Sequence, residues 1–168
     1  TVRTAVYFGA RSDRAKTLLV TSAMPGDGKS TAASNLAIAM AQAGQRTLLL
    51  DCDFRKPTQH IIFEVDASVG VSTVLAGREP LERAVQRTAV EGLDILPGGP
   101  IPLNPSEILN SQAFSDMVDE LASKYDHIVI DSPPVNAVTD ARILGALCDV
   151  TVVVLRAEKT MRKHSEYA

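Results

Sequence analysis

Five short apolar runs, rich in leucine and β-branched residues, punctuate the chain at 17–21 (TLLVT), 47–51 (TLLLD), 93–96 (LDIL), 127–131 (HIVID) and 150–155 (VTVVVL). They are continuously apolar rather than alternating, the pattern of strands in a parallel sheet covered on both faces. Helical stretches lie between them. Residues 30–43 are rich in alanine and meet a stop signal at Gly44. Residues 111–123 carry Phe114, Met117, Val118 and Leu121 at helical spacing, a face that reads as core packing. A third, short helix is expected over 140–147. This alternation predicts an α/β fold, a mostly parallel sheet joined by right-handed crossovers with helices on both faces. The Pro/Gly-rich piece 97–107 (PGGPIPLNPSE) reads as a loop, and no linker or second domain is visible.

Composition narrows the class. A chain of 168 residues fits one domain, and one of this size buries roughly 70% of its unfolded surface without a disulfide or structural metal. No apolar run approaches the ~18 residues of a membrane span, and the start has no signal-peptide pattern. A net charge of −3 gives no reason to expect nucleic acid. Cys52 and Cys148 have no metal-type spacing, which reads as a reduced, cytoplasmic chain. The first residue is Thr1, and the final MRKHSEYA runs on in a helix-like pattern, so residues 1–168 are expected to be a single domain truncated at both ends.

Three stretches carry chemistry. TSAMPGDGKST (21–31) sits between a strand and a helix and contains Ala23-x-x-x-x-Gly28-Lys29-Ser30, a P-loop with alanine in the first glycine position. Gly26 and Gly28 allow a tight turn with N–H groups pointing inward, and the helix adds its positive dipole end. Lys29 suits the β- and γ-phosphates of a nucleotide, and Ser30 offers a hydroxyl to Mg²⁺. Pro25, Gly26, Asp27, Gly28, Lys29, Ser30 and Thr31 are therefore the expected nucleotide-binding residues. In LLLDCDFRKP (48–57), Asp51 and Asp53 close a strand, and a period of two puts both carboxylates on one side. Two anions this close need a positive neighbour, which a Mg²⁺–nucleotide would supply. In HIVIDSPP (127–134), Asp131 ends a strand and should face the same crevice as Lys29, because ligands of open α/β sheets sit outside the carboxyl ends of strands. Arg55 and Lys56 suit either a phosphate or acidic partner or a solvated turn. His60, His127 and His164 are scattered and suggest no catalytic role.

The order of P-loop, D-x-D-x-R strand and D-[ST]-P-P strand resembles the bacterial tyrosine kinases of capsule and exopolysaccharide assembly. DFRKPTQHIIF, GPIPLNPSEIL and DSPPVNAVTDA extend the likeness to the Gram-positive capsular kinases over nearly the whole chain. The resemblance implies the P-loop NTPase fold, in the branch that also holds the Mrp, MinD and ParA ATPases. It implies ATP and Mg²⁺ as cofactors, with Ser30, Asp53 and Asp131 holding the metal and Lys29, Asp51, Asp53 and Asp131 catalytic. Asp51 is the first choice for orienting or deprotonating the acceptor tyrosine, although Asp51 and Asp53 can exchange roles. It also implies tyrosine-containing protein substrates, a transmembrane activator or fused membrane domain, a homo-oligomer, and a place at the inner face of the cell membrane. The alternative is a MinD/ParA-like ATPase switch. Those ATPases carry a signature lysine where this chain has Met24, followed here by Pro25. A binding module that holds nucleotide without using it is a third reading, and the extra carboxylates argue against it. The chain departs from the kinase pattern in two places. Its tyrosines are only Tyr7, Tyr125 and Tyr167, not a cluster, and only Arg3 remains of the E-x-x-R-x-x-R motif that builds a ring.

Overall fold

The computed structural model describes residues 15–156. Arg3, Tyr7, His164 and Tyr167 lie outside the described residues. Six strands form one sheet: β1 (Thr17–Ser22), β2 (Thr47–Asp51), β3 (Gln86–Arg87), β4 (Leu93–Leu96), β5 (His127–Asp131) and β6 (Val150–Val154). Their spatial order is β3-β4-β2-β5-β1-β6. All pairings are parallel except β3 with β4. The five strands expected from the apolar runs are all present, within a residue at their ends. The two-residue β3 was not legible, having no apolar run to announce it.

Because the middle positions of the central strands are continuously apolar, each strand contributes to two cores. Leu18, Val20, Leu49 and Val129 face Ala33, Leu36, Ala37 and Met40 of α1 (Lys29–Gln42). Leu19, Leu48, Leu50, Ile128 and Ile130 face the opposite core with Phe114, Met117, Val118 and Leu121 of α6 (Gln112–Lys124) and Leu144 of α7 (Asp140–Leu147). The small side chains of α1 let it lie close to the sheet. Ser111 caps α6, its hydroxyl accepting the Phe114 N–H at 3.1 Å. The helical face of 111–123 is thus core, as its spacing predicts. β6 differs from the other long strands: among the described residues it has a neighbour on one side only, and its residues are half-buried or exposed in alternation.

Among the described residues there are four further, short helices: α2 (Gln59–Ile62), α3 (Val71–Leu75), α4 (Leu81–Ala84) and α5 (Pro105–Leu109). The expectation of a loop over 97–107 holds only to Asn104. Pro105 takes the first position of α5, where its missing N–H costs nothing and its fixed φ favours the helix. The start of α3 docks on the preceding part of this loop, with Val71 N–H donating to Pro97 O and Ser72 N–H to Gly98 O.

Two substitutions test these joints. A Cβ on Gly70 would fall 2.2 Å from Pro97 O and 2.4 Å from Gly99 N, both backbone atoms that cannot step aside. Gly70→Ala should therefore cost about 1–3 kcal/mol in denaturant unfolding. Asp149, before β6, accepts from Lys16 N, Thr17 N and the Thr17 hydroxyl, tying the starts of β1 and β6. Burial opposes its charge, but these donors hold its carboxyl below the usual range. Its stabilisation is complete above the ordinary aspartate pKa and is lost as the pH falls through the depressed folded value. Asp149→Ala should cost about 1 kcal/mol at neutral pH, the group being largely solvated, and the difference from wild type should vanish in acid.

Candidate active site

β1 delivers its chain directly into the P-loop, and α1 starts at Lys29. Gly26 and Gly28 adopt φ of 85° and 93°, left-handed values that glycine accepts without cost. A Cβ at either would meet nothing within 4 Å, so the loop is open above its backbone. Ala23, in the motif's first glycine position, is fully buried, so a methyl group is accommodated there. Pro25, Gly26, Gly28, Lys29, Ser30 and Thr31 line a cavity of about 620 Å³. The N–H groups of the first helical turn, which have no partner within the helix, lie at the same end. Asp27 is the member of the expected set that does not line the cavity. Its carboxylate folds back to accept the Met24 N–H at 3.2 Å.

The parallel register brings the acidic motifs together. Asp51 pairs with Asp131 across β2 and β5, and Val20 pairs with Asp131 across β1 and β5. Asp51 and Asp131 are completely buried and Asp53 nearly so, so these are not solvated loop acids. Lys29 answers their charge: its Nζ lies 2.6 Å from Asp53 Oδ2, 3.4 Å from Asp131 Oδ1 and 3.0 Å from Ser30 Oγ. Burial works against the Lys29 charge, but Asp131 and Asp53 outweigh it and hold the pKa above the ordinary lysine value.

Asp51 and Asp53 occupy different surroundings. The strand stops at Asp51, so alternation does not govern Asp53, which sits in a turn where its Oδ1 accepts the Lys56 N–H. Asp53 lines the cavity. Asp51 lies beneath it, with Oδ1 accepting from Asp53 N and Oδ2 from Thr58 N and Gln59 N, at 3.1–3.2 Å. Burial, then the Asp131 charge, raise its pKa to about 7, against the pull of those N–H donors. Burial also raises Asp131, opposed by Lys29, Ser30 and Gln59.

The surroundings settle several open points. Arg55 pairs with the buried Asp140 at 3.2 Å, and the Ser106 hydroxyl donates to the other oxygen of Asp140. This cluster joins the D-x-D-x-R turn, α5 and α7, so Arg55 has a tertiary partner, while Lys56 is exposed on the cavity wall. Ile61, Ile62, Pro133, Pro134, Ala137 and Val138 make the cavity's apolar side. Gln59 and Asp140, each the first residue of a helix, carry buried polar contacts that the sequence analysis assigned to neither. Tyr125 is a structural residue, its hydroxyl donating to Asp94 at 2.7 Å and Arg46 stacking 5.7 Å from its ring centre. Burial pushes the Cys52 thiol well up and Cys148 up to about 12, which fits inert thiols.

Comparison with known proteins agrees with this geometry. A family model described as an AAA domain matches residues 15–162. Tyrosine-protein kinase YwqD of Bacillus subtilis (strain 168) is 42% identical over 168 residues, all of this chain and 71% of that protein. The putative tyrosine-protein kinase CapB of Staphylococcus aureus is 39% identical over 167 residues, covering 99% of this chain and 73% of that one. The crystal structure of the chimerical protein CapA2B2 superposes with a TM-score of 0.94 at 41% identity, over 98% of this chain and 73% of its own. The septum site-determining protein MinD of Pyrococcus horikoshii, complexed with Mg-ADP, is more distant: TM-score 0.71, 26% identity, 83% of this chain and 57% of that one. These relatives are of one kind, and the chain belongs to the bacterial tyrosine-protein kinase family, with a P-loop NTPase fold.

Proposed function

We propose that this chain transfers the γ-phosphate of ATP to tyrosine hydroxyls of proteins, as a P-loop tyrosine kinase of capsular or exopolysaccharide assembly. The observation that carries this reading is the convergence of Lys29, Asp51, Asp53 and Asp131 at the carboxyl edge of three adjacent strands, beside an open glycine-rich loop. Lys29 and the backbone of residues 25–31, Pro25 excepted as an N–H donor, hold the phosphates of ATP and offset charge that spreads over the transferred group. Among the described residues, no three His, Cys or acidic side chains are arranged to hold a metal by themselves. That fits Mg²⁺, which takes one or two carboxylates together with substrate phosphates. Ser30, Asp53 and Asp131 would hold it, and it would supply positive charge against the phosphate oxygens.

Asp51 orients or deprotonates the acceptor. Its raised pKa suits a base working near neutrality, and three N–H donors hold its carboxylate just beneath the cavity. Asp53, on the cavity wall against Lys29, suits the metal. In this reading residues 1–168 act as one kinase domain within a homo-oligomer. They work at the inner face of the membrane with a transmembrane activator or fused membrane domain. Among the described residues no helix is long and apolar enough to cross a membrane. Buried Tyr125 is not an acceptor; tyrosines of other proteins are.

A γ-phosphate labelling assay tests the reading. Alkali-stable label on tyrosine, falling by roughly 10³-fold or more in Lys29→Met with the fold intact by circular dichroism, is expected. Free phosphate without labelled protein, even with an activator present, would favour the MinD-like switch. Asp51→Asn should remove phosphotransfer while fluorescent-nucleotide binding survives. Loss of both together would make Asp51 mainly a metal ligand.

A further inference from the structure

Gln59 opens α2 and is completely buried, yet its polar groups are matched in a single network. Its Nε2 donates to Asp131 Oδ2 at 2.8 Å and to Ser30 O at 3.0 Å. Its Oε1 lies 2.8 Å from the Ser34 hydroxyl, whose one proton is shared between it and Ser30 O at 2.8 Å, and its backbone N–H donates to Asp51 Oδ2 at 3.1 Å. The Asp131 carboxylate and the Ser30 carbonyl fix the amide orientation. Both only accept, so the NH₂ faces them and the amide oxygen faces the hydroxyl. One residue thus touches the P-loop helix, the end of β2 and the end of β5.

We propose that Gln59 is a positioning residue of the phosphotransfer site, locking the Asp131 carboxylate and the first turn of α1 against the Asp51 loop. This rests on the function proposed above. The terminal torsion of an aspartate is soft, and Lys29 reaches Asp131 Oδ1 at only 3.4 Å, a weak restraint. The Gln59 amide, holding the buried Oδ2 at 2.8 Å, supplies the firmer one and leaves Oδ1 turned towards Lys29. The same residue, through its main chain, carries a donor to Asp51. A shift of α2 would therefore move Asp131 and Asp51 together. Ile61 and Ile62 of this helix line the cavity, so the element that fixes the carboxylates is also a wall of the cleft.

Gln59→Met keeps length and packing but removes the amide. Two readouts separate positioning from mere structure. The first is binding of a fluorescent ADP analogue with and without Mg²⁺, which needs no turnover. The Mg²⁺-dependent gain in affinity should fall roughly 10-fold, with metal-free affinity changed by less than about 2-fold. The second is tyrosine labelling, where kcat should fall roughly 10- to 100-fold with acceptor KM nearly constant. Equal loss of affinity with and without Mg²⁺, or an unchanged gain and kcat, would overturn the proposal. If Gln59→Met does not fold, Ser34→Ala carries the same test, since it removes the hydroxyl that the amide oxygen faces and should move both readouts the same way to a smaller extent. Wild-type chain that labels no tyrosine, alongside a Gln59→Met loss of the Mg²⁺-dependent gain, would sink the kinase reading and leave the positioning role standing.

Discussion

Burying like charges is the constraint from which this site is built. β2 and β5 end side by side, and their register sets Asp51 directly against Asp131, with Asp53 two residues further on. Buried carboxylates this close repel one another, and burial disfavours the charged forms of Asp51 and Asp131. The structure offsets that cost with the Lys29 ammonium, with backbone N–H groups on Asp51 and with the Gln59 amide on Asp131. The compensation is divided unequally. Lys29 favours Asp53 by distance, whereas Asp51 has only neutral donors and a raised proton affinity. That asymmetry supports the proposed division of labour between a metal-side Asp53 and an acceptor-side Asp51.

The rest of the fold serves this edge. A sheet covered on both faces leaves its strand ends as the places where polar groups can gather, and the adjacent order β2-β5-β1 gathers three motifs at one end. The two cores hold those strand ends at fixed spacing, α1 on one face and α6 with α7 on the other. A second ring of contacts runs outside the carboxylates. Arg55, Asp140 and Ser106 fasten the turn after Asp53 to α7 and α5, and the Pro97–Gly99 strip receives the start of α3 against Gly70.

Much of this was legible in the residues. The five long strands and the three longer helices declare themselves by local periodicity, and the three motifs by spacing between a strand and a helix. The resemblance to bacterial tyrosine kinases, carried by those motifs, agrees with relatives matched over almost the full chain. Short elements were not legible: β3 has two residues and α2 four, too few for a period to show. Asp53 was placed beside Asp51 by extending strand alternation past the end of the strand, where a turn takes over. Gln59 and Asp140 were given no role, because a polar side chain at a helix start carries no mark of burial in the sequence.

The sequence by itself determined the kind of machine: a strand–loop–helix that cradles phosphate, acids at the ends of buried strands, and the family to which these belong. Those properties are written in neighbouring residues, because helix and strand periods, glycine conformations and charge at a helix start are local. Only the tertiary structure decided which acid meets Lys29, which sits on N–H groups, and which amide or arginine holds each in place. Such choices depend on register between strands distant in the chain and on what burial removes from water. An aspartate has the same letter in either setting; the partners packed around it set its charge, its orientation and its task.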